Sequence, residues 1–83
     1  MIFPQVNMNG TDGADLALAY NDAANKMYDA IKAMRAPFHG RDYQTLPVGT
    51  FELANKEMMA RVAAATAVMD EIHSIVESIA KQL

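Results

Sequence analysis

Within five residues, His39, Gly40, Arg41, Asp42 and Tyr43 set an imidazole, an unhindered backbone, a guanidinium, a carboxylate and a phenol side by side. Such a set suits recognition of a small anion that carries a ring. A guanidinium grips phosphate or carboxylate through two parallel N–H donors. Tyr43, or Phe38 just before it, could stack on a base, while Asp42 could orient the arginine or accept from a ribose hydroxyl. Gly40 lets a backbone approach closely, and a helix starting after Thr50 adds free N–H donors for an anion. Lys32 and Arg35 stand shortly upstream and add positive charge. The same residues also fit a structural role, with Arg41 and Asp42 capping helix ends and Tyr43 packed over the hairpin.

Other chemistry is sparse. Asp70 and His73 have the D-x-x-H spacing of half a carboxylate metal site, but such sites need further inward-facing acids, and His73 can pair instead with Glu77 one turn on. No metal or cofactor is expected. Ser74 and Ser78 sit within a continuous helical pattern rather than on a strained turn, and no motif joins them to His39 and Asp42. The chain has no cysteine, which removes thiol chemistry and disulfides. A non-enzymatic protein is the expectation.

Two helices must position these residues. Asn7 to Asp15 is rich in helix breakers, and Thr11 or Asp12 is placed to cap a first helix over about 12–36. Leu16, Tyr20, Ala23, Met27, Ala30 and Met34 then alternate at spacings of four and three, the mark of one buried stripe. Pro37 disfavours helical geometry at Ala36 and closes that helix. A second helix over about 51–82 opens with Thr50 as its cap. Met58, Val62, Ala65, Met69, Ile72, Val76, Ile79 and Leu83 hold the same rhythm, a coiled-coil-like seam. Val68, Ile75 and Ile79 form a second stripe beside it, more than one partner helix can cover. The predicted fold is therefore all-α: an antiparallel two-helix hairpin with an extended N-terminal arm over 1–10 and a linker over 37–50. It is expected to assemble into an oligomeric helical bundle through Val62, Met69, Ile72, Ile75, Val76 and Ile79. Ile2, Phe3, Val6 and Met8 of the arm could lie along the exposed stripe. The linker exceeds the roughly 12 residues beyond which structureless connections become uncommon, so a shaped loop is expected there.

Composition points the same way. The chain has 83 residues, of which fifteen are alanine, so its 52% hydrophobic content favours close helix packing over a thick core. Oligomerisation is the usual remedy for so small a core. The seven methionines read as gap-filling core. A net charge of −3 argues against general DNA binding, which relies on clustered Lys and Arg. Yet six of the seven basic side chains fall between residues 26 and 61, where only four acids oppose them, so the linker end of a hairpin is positive and the open end negative. The start lacks the basic and apolar regions of a secretory signal, and the apolar run Val62–Met69 is far below the roughly 20 residues that span a bilayer. A cytoplasmic protein without a membrane span is expected.

Asn9-Gly10-Thr11 before the first helix, together with Pro37, His39 and Gly40-Arg41-Asp42-Tyr43 in the linker, resembles a group of small uncharacterised proteins of tailed bacteriophages. The likeness spans the whole layout of arm, helix, linker and helix. This chain departs at Gln44, where similar sequences often carry a second aromatic, and at Ala14, where they carry the Glu of a capping box. The resemblance implies a phage origin and the cytoplasm of a bacterial host, with no activity to carry over. By analogy, phages use short helical oligomers against host defences, some of which signal with nucleotides. Two functions follow as expectations. One is an accessory protein acting on a host or phage protein partner, in the manner of an anti-defence factor. The other is an oligomeric sponge for a small anionic, nucleotide-like ligand, held by Arg41 and Tyr43.

Overall fold

A computed structural model describes all 83 residues. Helix α1 runs Gly13–Arg35 and helix α2 runs Thr50–Ala80, with a 3-10 turn at Gly40–Tyr43 between them and no strand. The two helices pack against each other. They lie antiparallel, since Gly13 at the start of α1 meets Leu83 at the chain's end, and Gly40 in the connection meets Phe51 at the start of α2.

The ends of α1 follow from its sequence. Asp12 is the cap: its carboxylate accepts from the Asp15 amide at 3.3 Å, satisfying one N–H that has no partner within the helix. Lys32 and Arg35 in the last turn complement the negative end of the dipole. Ala36, however, keeps helical geometry, and its N–H donates to the Lys32 carbonyl at 3.0 Å. Pro37 therefore ends the helix by lacking an N–H, not by turning its predecessor out of the helical region.

Thr50 does not cap α2; it is the first helical residue. The cap position belongs to Gly49, at φ 92°, the only residue of the chain with left-handed backbone geometry. A glycine reaches that conformation without steric cost, and its carbonyl accepts from the Leu53 amide at 3.3 Å.

The seam of α2 lies where its periodicity puts it as far as Ile79, but Leu83 falls beyond the helix end at Ala80 and is 70% exposed. Met58, Val62, Ala65, Met69, Ile72 and Val76 are half-buried and Ile79 is completely buried. On α1 the stripe is rotated from expectation: Ala24 and Ile31 are buried, while Ala23 is half-buried and Ala30 exposed. The inward row is Gly13, Ala17, Tyr20, Ala24, Met27, Ile31 and Met34, again in fours and threes. Gly13 is buried because a Cβ there would fall 2.5 Å from Leu83 Cδ2 and 3.2 Å from Val6 Cγ1. The helices and the leading segment converge on that point.

Residues 1–7 carry no regular structure. The Gln82 side chain holds them, accepting from the Val6 amide at 2.7 Å and donating to the Pro4 carbonyl at 3.0 Å. Val6 is half-buried, while Ile2 and Met8 are almost fully exposed.

A hairpin of two helices has little interior. Only Gly13, Ala24, Ile31 and Ile79 are buried. The chain extends over 61 × 20 × 16 Å with a radius of gyration of 18.3 Å, against about 12 Å for a compact domain of this length. It exposes 6197 Å², where a compact chain of 9.1 kDa exposes roughly 4,900 Å². No helix is long and apolar enough to cross a membrane.

Candidate functional site

The connection between the helices is built on an aromatic trio. With 31 residues against 23, α2 overhangs α1 by roughly 12 Å at the end where the connection lies. Phe51 lies in that overhang, one heptad before Met58, and continues the seam beyond the reach of α1. The connection supplies what α1 cannot. Phe38 stacks on Phe51 with ring centroids 5.5 Å apart, and Tyr43 meets Phe51 edge-on at 5.9 Å and Phe38 at 5.5 Å. These are favoured aromatic geometries. The Gly40–Tyr43 turn carries Tyr43 back over α2, and a Cβ on Gly40 would sit in ordinary contact, 3.5 Å from Phe51.

Backbone hydrogen bonds set the rest of the loop as a chain of tight turns. Phe38 donates to Arg35, Asp42 to His39, Leu46 to Tyr43 and Thr50 to Pro47, each within 3.2 Å. The expected shaped loop is present, and its length is that of a cover for the α2 overhang.

The polar members of the grouping point elsewhere. His39, Arg41 and Asp42 are exposed, and their side chains make no hydrogen bond or ion pair, with one another or with the helices. Arg41 is thus not a clasp through Asp42, and neither residue caps a helix. Arg35 is also unpaired, and the Lys32 ammonium lies 5.6 Å from the centroid of the Tyr28 ring, a cation–π contact. Tyr43 and Phe38 spend their ring faces on each other and on Phe51. The single chain encloses no pocket. Asp70 and His73 are exposed and belong to no cluster of three ligating side chains. The Ser74 hydroxyl donates to the Asp70 carbonyl within the helix.

The helix flanks differ in character. On α1, Asp15, Asp22 and Asp29 recur every seven residues as an exposed acidic ridge on the side away from the seam. Asp22 holds Lys26 at 2.9 Å, and this hydrogen bond and charge hold the lysine above its ordinary pKa. The outer side of α2 is different. Ala60, Ala63, Ala64 and Ala67 are exposed, Val68 is 45% exposed, and no charge falls between Arg61 and Asp70. Glu57 and Arg61 form the expected i,i+4 pair, at 3.7 Å.

Of the residues expected at an interface, Val62, Met69, Ile72 and Val76 are half-covered on the side that α1 occupies, and Ile79 is wholly covered within the chain. Ile75, on the second stripe, is half-buried as well, and Val68 beside it is the exposed member. The exposed alanines beside them escaped the sequence reading because alanine is both an apolar residue and the default residue of a helix surface. Their signal was the unbroken uncharged run Val62–Met69.

Compared with protein-family models, curated proteins and solved structures, the chain matches none.

Proposed function

We propose that this chain is a non-catalytic interaction protein whose working form is a small oligomer of helical hairpins, most simply a dimeric four-helix bundle. The observation that carries this reading is the surface: 6197 Å² exposed around only four buried residues, with an uncharged flank on α2. The excess over a compact chain is about 1,300 Å². A self-complementary interface covering most of it falls in the size class of stable homodimers. Set in a phage-infected bacterial cytoplasm, as the resemblance implies, the bundle would act by occupying a host or phage protein, in the manner of an anti-defence factor.

A second reading is favoured by one specific observation. Arg35 and Arg41 are free of ion pairs at the end where bases outnumber acids, so an oligomer could gather several such ends around a small anionic, nucleotide-like ligand. Tyr43 would then support the loop rather than stack on the base.

A thermal-shift screen against linear and cyclic nucleotides separates the two, because a ligand that binds only the folded state raises Tm by mass action. A shift that Arg41→Ala abolishes, at unchanged stability of the free protein, establishes the ligand reading. A flat screen with a protein whose Tm rises with its own concentration supports the interaction reading.

A further inference from the structure

We propose that a second copy of this chain seats antiparallel on the α2 flank, with the linker end of each hairpin beside the open end of the other. This deepens the assembly reading above and rests on it.

The first argument is local. The stretch from Arg61 to Glu71 reads as a base, eight uncharged residues and two acids. Laid antiparallel on a copy of itself about the level of Thr66, it brings Arg61 opposite Glu71 of the second copy, twice by symmetry, while Asp70, nine residues from Arg61 and so half a turn round the helix, faces away. Laid parallel, it brings Arg61 against Arg61 and Glu71 against Glu71. Like charges directly opposed across an interface are unfavourable and opposite charges favourable. The exposed Ala60, Ala64 and Ala67 allow close helix approach, and the flanking Val68 and Ile75 supply the apolar cover.

The second argument is global. Residues 26–61 hold six bases and four acids, and the remainder holds one base and six acids. The antiparallel hairpin turns this division into a rod 61 Å long with a positive and a negative end. Only the antiparallel pairing puts unlike ends together.

The side of the hairpin is also defined. The acidic ridge of α1, Asp15, Asp22 and Asp29, would meet its own copy if α1's outer face were the interface. The α2 flank carries no such ridge. Its one charged pair, Glu57–Arg61, is loose at 3.7 Å and both side chains are largely exposed, so Arg61 is free to exchange Glu57 for Glu71 of the second copy.

Because the chain has no cysteine, one introduced thiol carries a single spin label. Val48 is fully exposed in the linker, so Val48→Cys leaves the packing untouched. In the antiparallel dimer two labels at that position stand about 50 Å apart or more, at 1.5 Å per helical residue from the middle of α2. In a parallel dimer they lie within the bundle's width, about 20–30 Å. Pulsed spin-resonance distances near the long value support the proposal; a short distance in a proven dimer overturns it while leaving the assembly reading intact. A monomeric protein overturns both. Charge reversal gives an independent check of the face: Arg61→Glu should weaken association at least tenfold, and adding Glu71→Arg should restore most of it. If the double variant is as weak as the single, Arg61 does not face Glu71 and the register proposed here is wrong.

Discussion

Phe38 and Phe51, one just past the end of α1 and the other in the first turn of α2, stack with ring centroids 5.5 Å apart, and this contact explains the length of the connection. The second helix outruns the first, and the loop folds back to cover the seam residue left without a partner. Phe51 is 38% exposed, so its loss should cost less than the 3–5 kcal/mol of a fully buried phenylalanine. Phe51→Ala should destabilise the protein by about 2 kcal/mol in denaturant unfolding and expose the bonds after Arg35 and Arg41 to trypsin. Arg41→Ala should shift stability by less than about 0.5 kcal/mol, as for other surface positions free of contacts.

The α2 start depends on backbone geometry rather than on a side-chain cap. Nothing lies within 4 Å of a Cβ on Gly49, but its φ of 92° strains any L residue. Gly49→Ala should therefore cost about 1–2 kcal/mol, and Gly49→Asn less, because asparagine tolerates the left-handed region. At the start of α1 the opposite holds: Asp12→Ala should cost about 1 kcal/mol through loss of the cap, while Thr11→Ala should be silent. Equilibrium unfolding of the four variants orders them.

How far these features could be read in advance depends on how much of each is local. The α2 seam was legible because large apolar residues, Met58, Val62, Met69, Ile72, Val76 and Ile79, repeat without ambiguity. The α1 stripe was legible only to within one position, since Ala23-Ala24 offers two equivalent choices. Ile31, the one isoleucine of that helix, resolves them, because a row through it also takes in Ala24. The 3-10 turn and the aromatic trio were not legible: Tyr43 is drawn over α2 by Phe51, and that depends on how far α2 outruns α1. Gly49 took the cap position from Thr50 because the turn from Pro47 needed a left-handed residue before the helix.

The Gln82 side chain replaces a strand partner for the leading segment. Gln82→Ala removes the bonds to Val6 and Pro4 and should cost about 1 kcal/mol at most, as the site is exposed. Amide exchange should rise at Val6 and leave the seam around Ile72 unchanged. If Val6 exchanges at the same rate in both proteins, Gln82 does not hold the segment.

Alkaline pH reports on the Asp22–Lys26 pair. The lysine is raised above its ordinary value of 10.5 by the hydrogen bond and charge of Asp22. A raised folded-state pKa contributes stability that is complete below the unfolded value and fades as pH rises through the folded one. Asp22→Asn should therefore lower stability slightly at pH 8, with the difference from wild type fading as pH rises through the raised folded-state pKa of Lys26. The sites are fully exposed, so added salt should shrink the effect.

Light scattering coupled to size exclusion, at micromolar concentration and low salt, tests the central claim of an assembled bundle. The account predicts a particle of at least twice the 9.1 kDa chain mass, dissociating on dilution together with a fall in Tm. A well-folded 9.1 kDa monomer whose Tm is independent of concentration would contradict it.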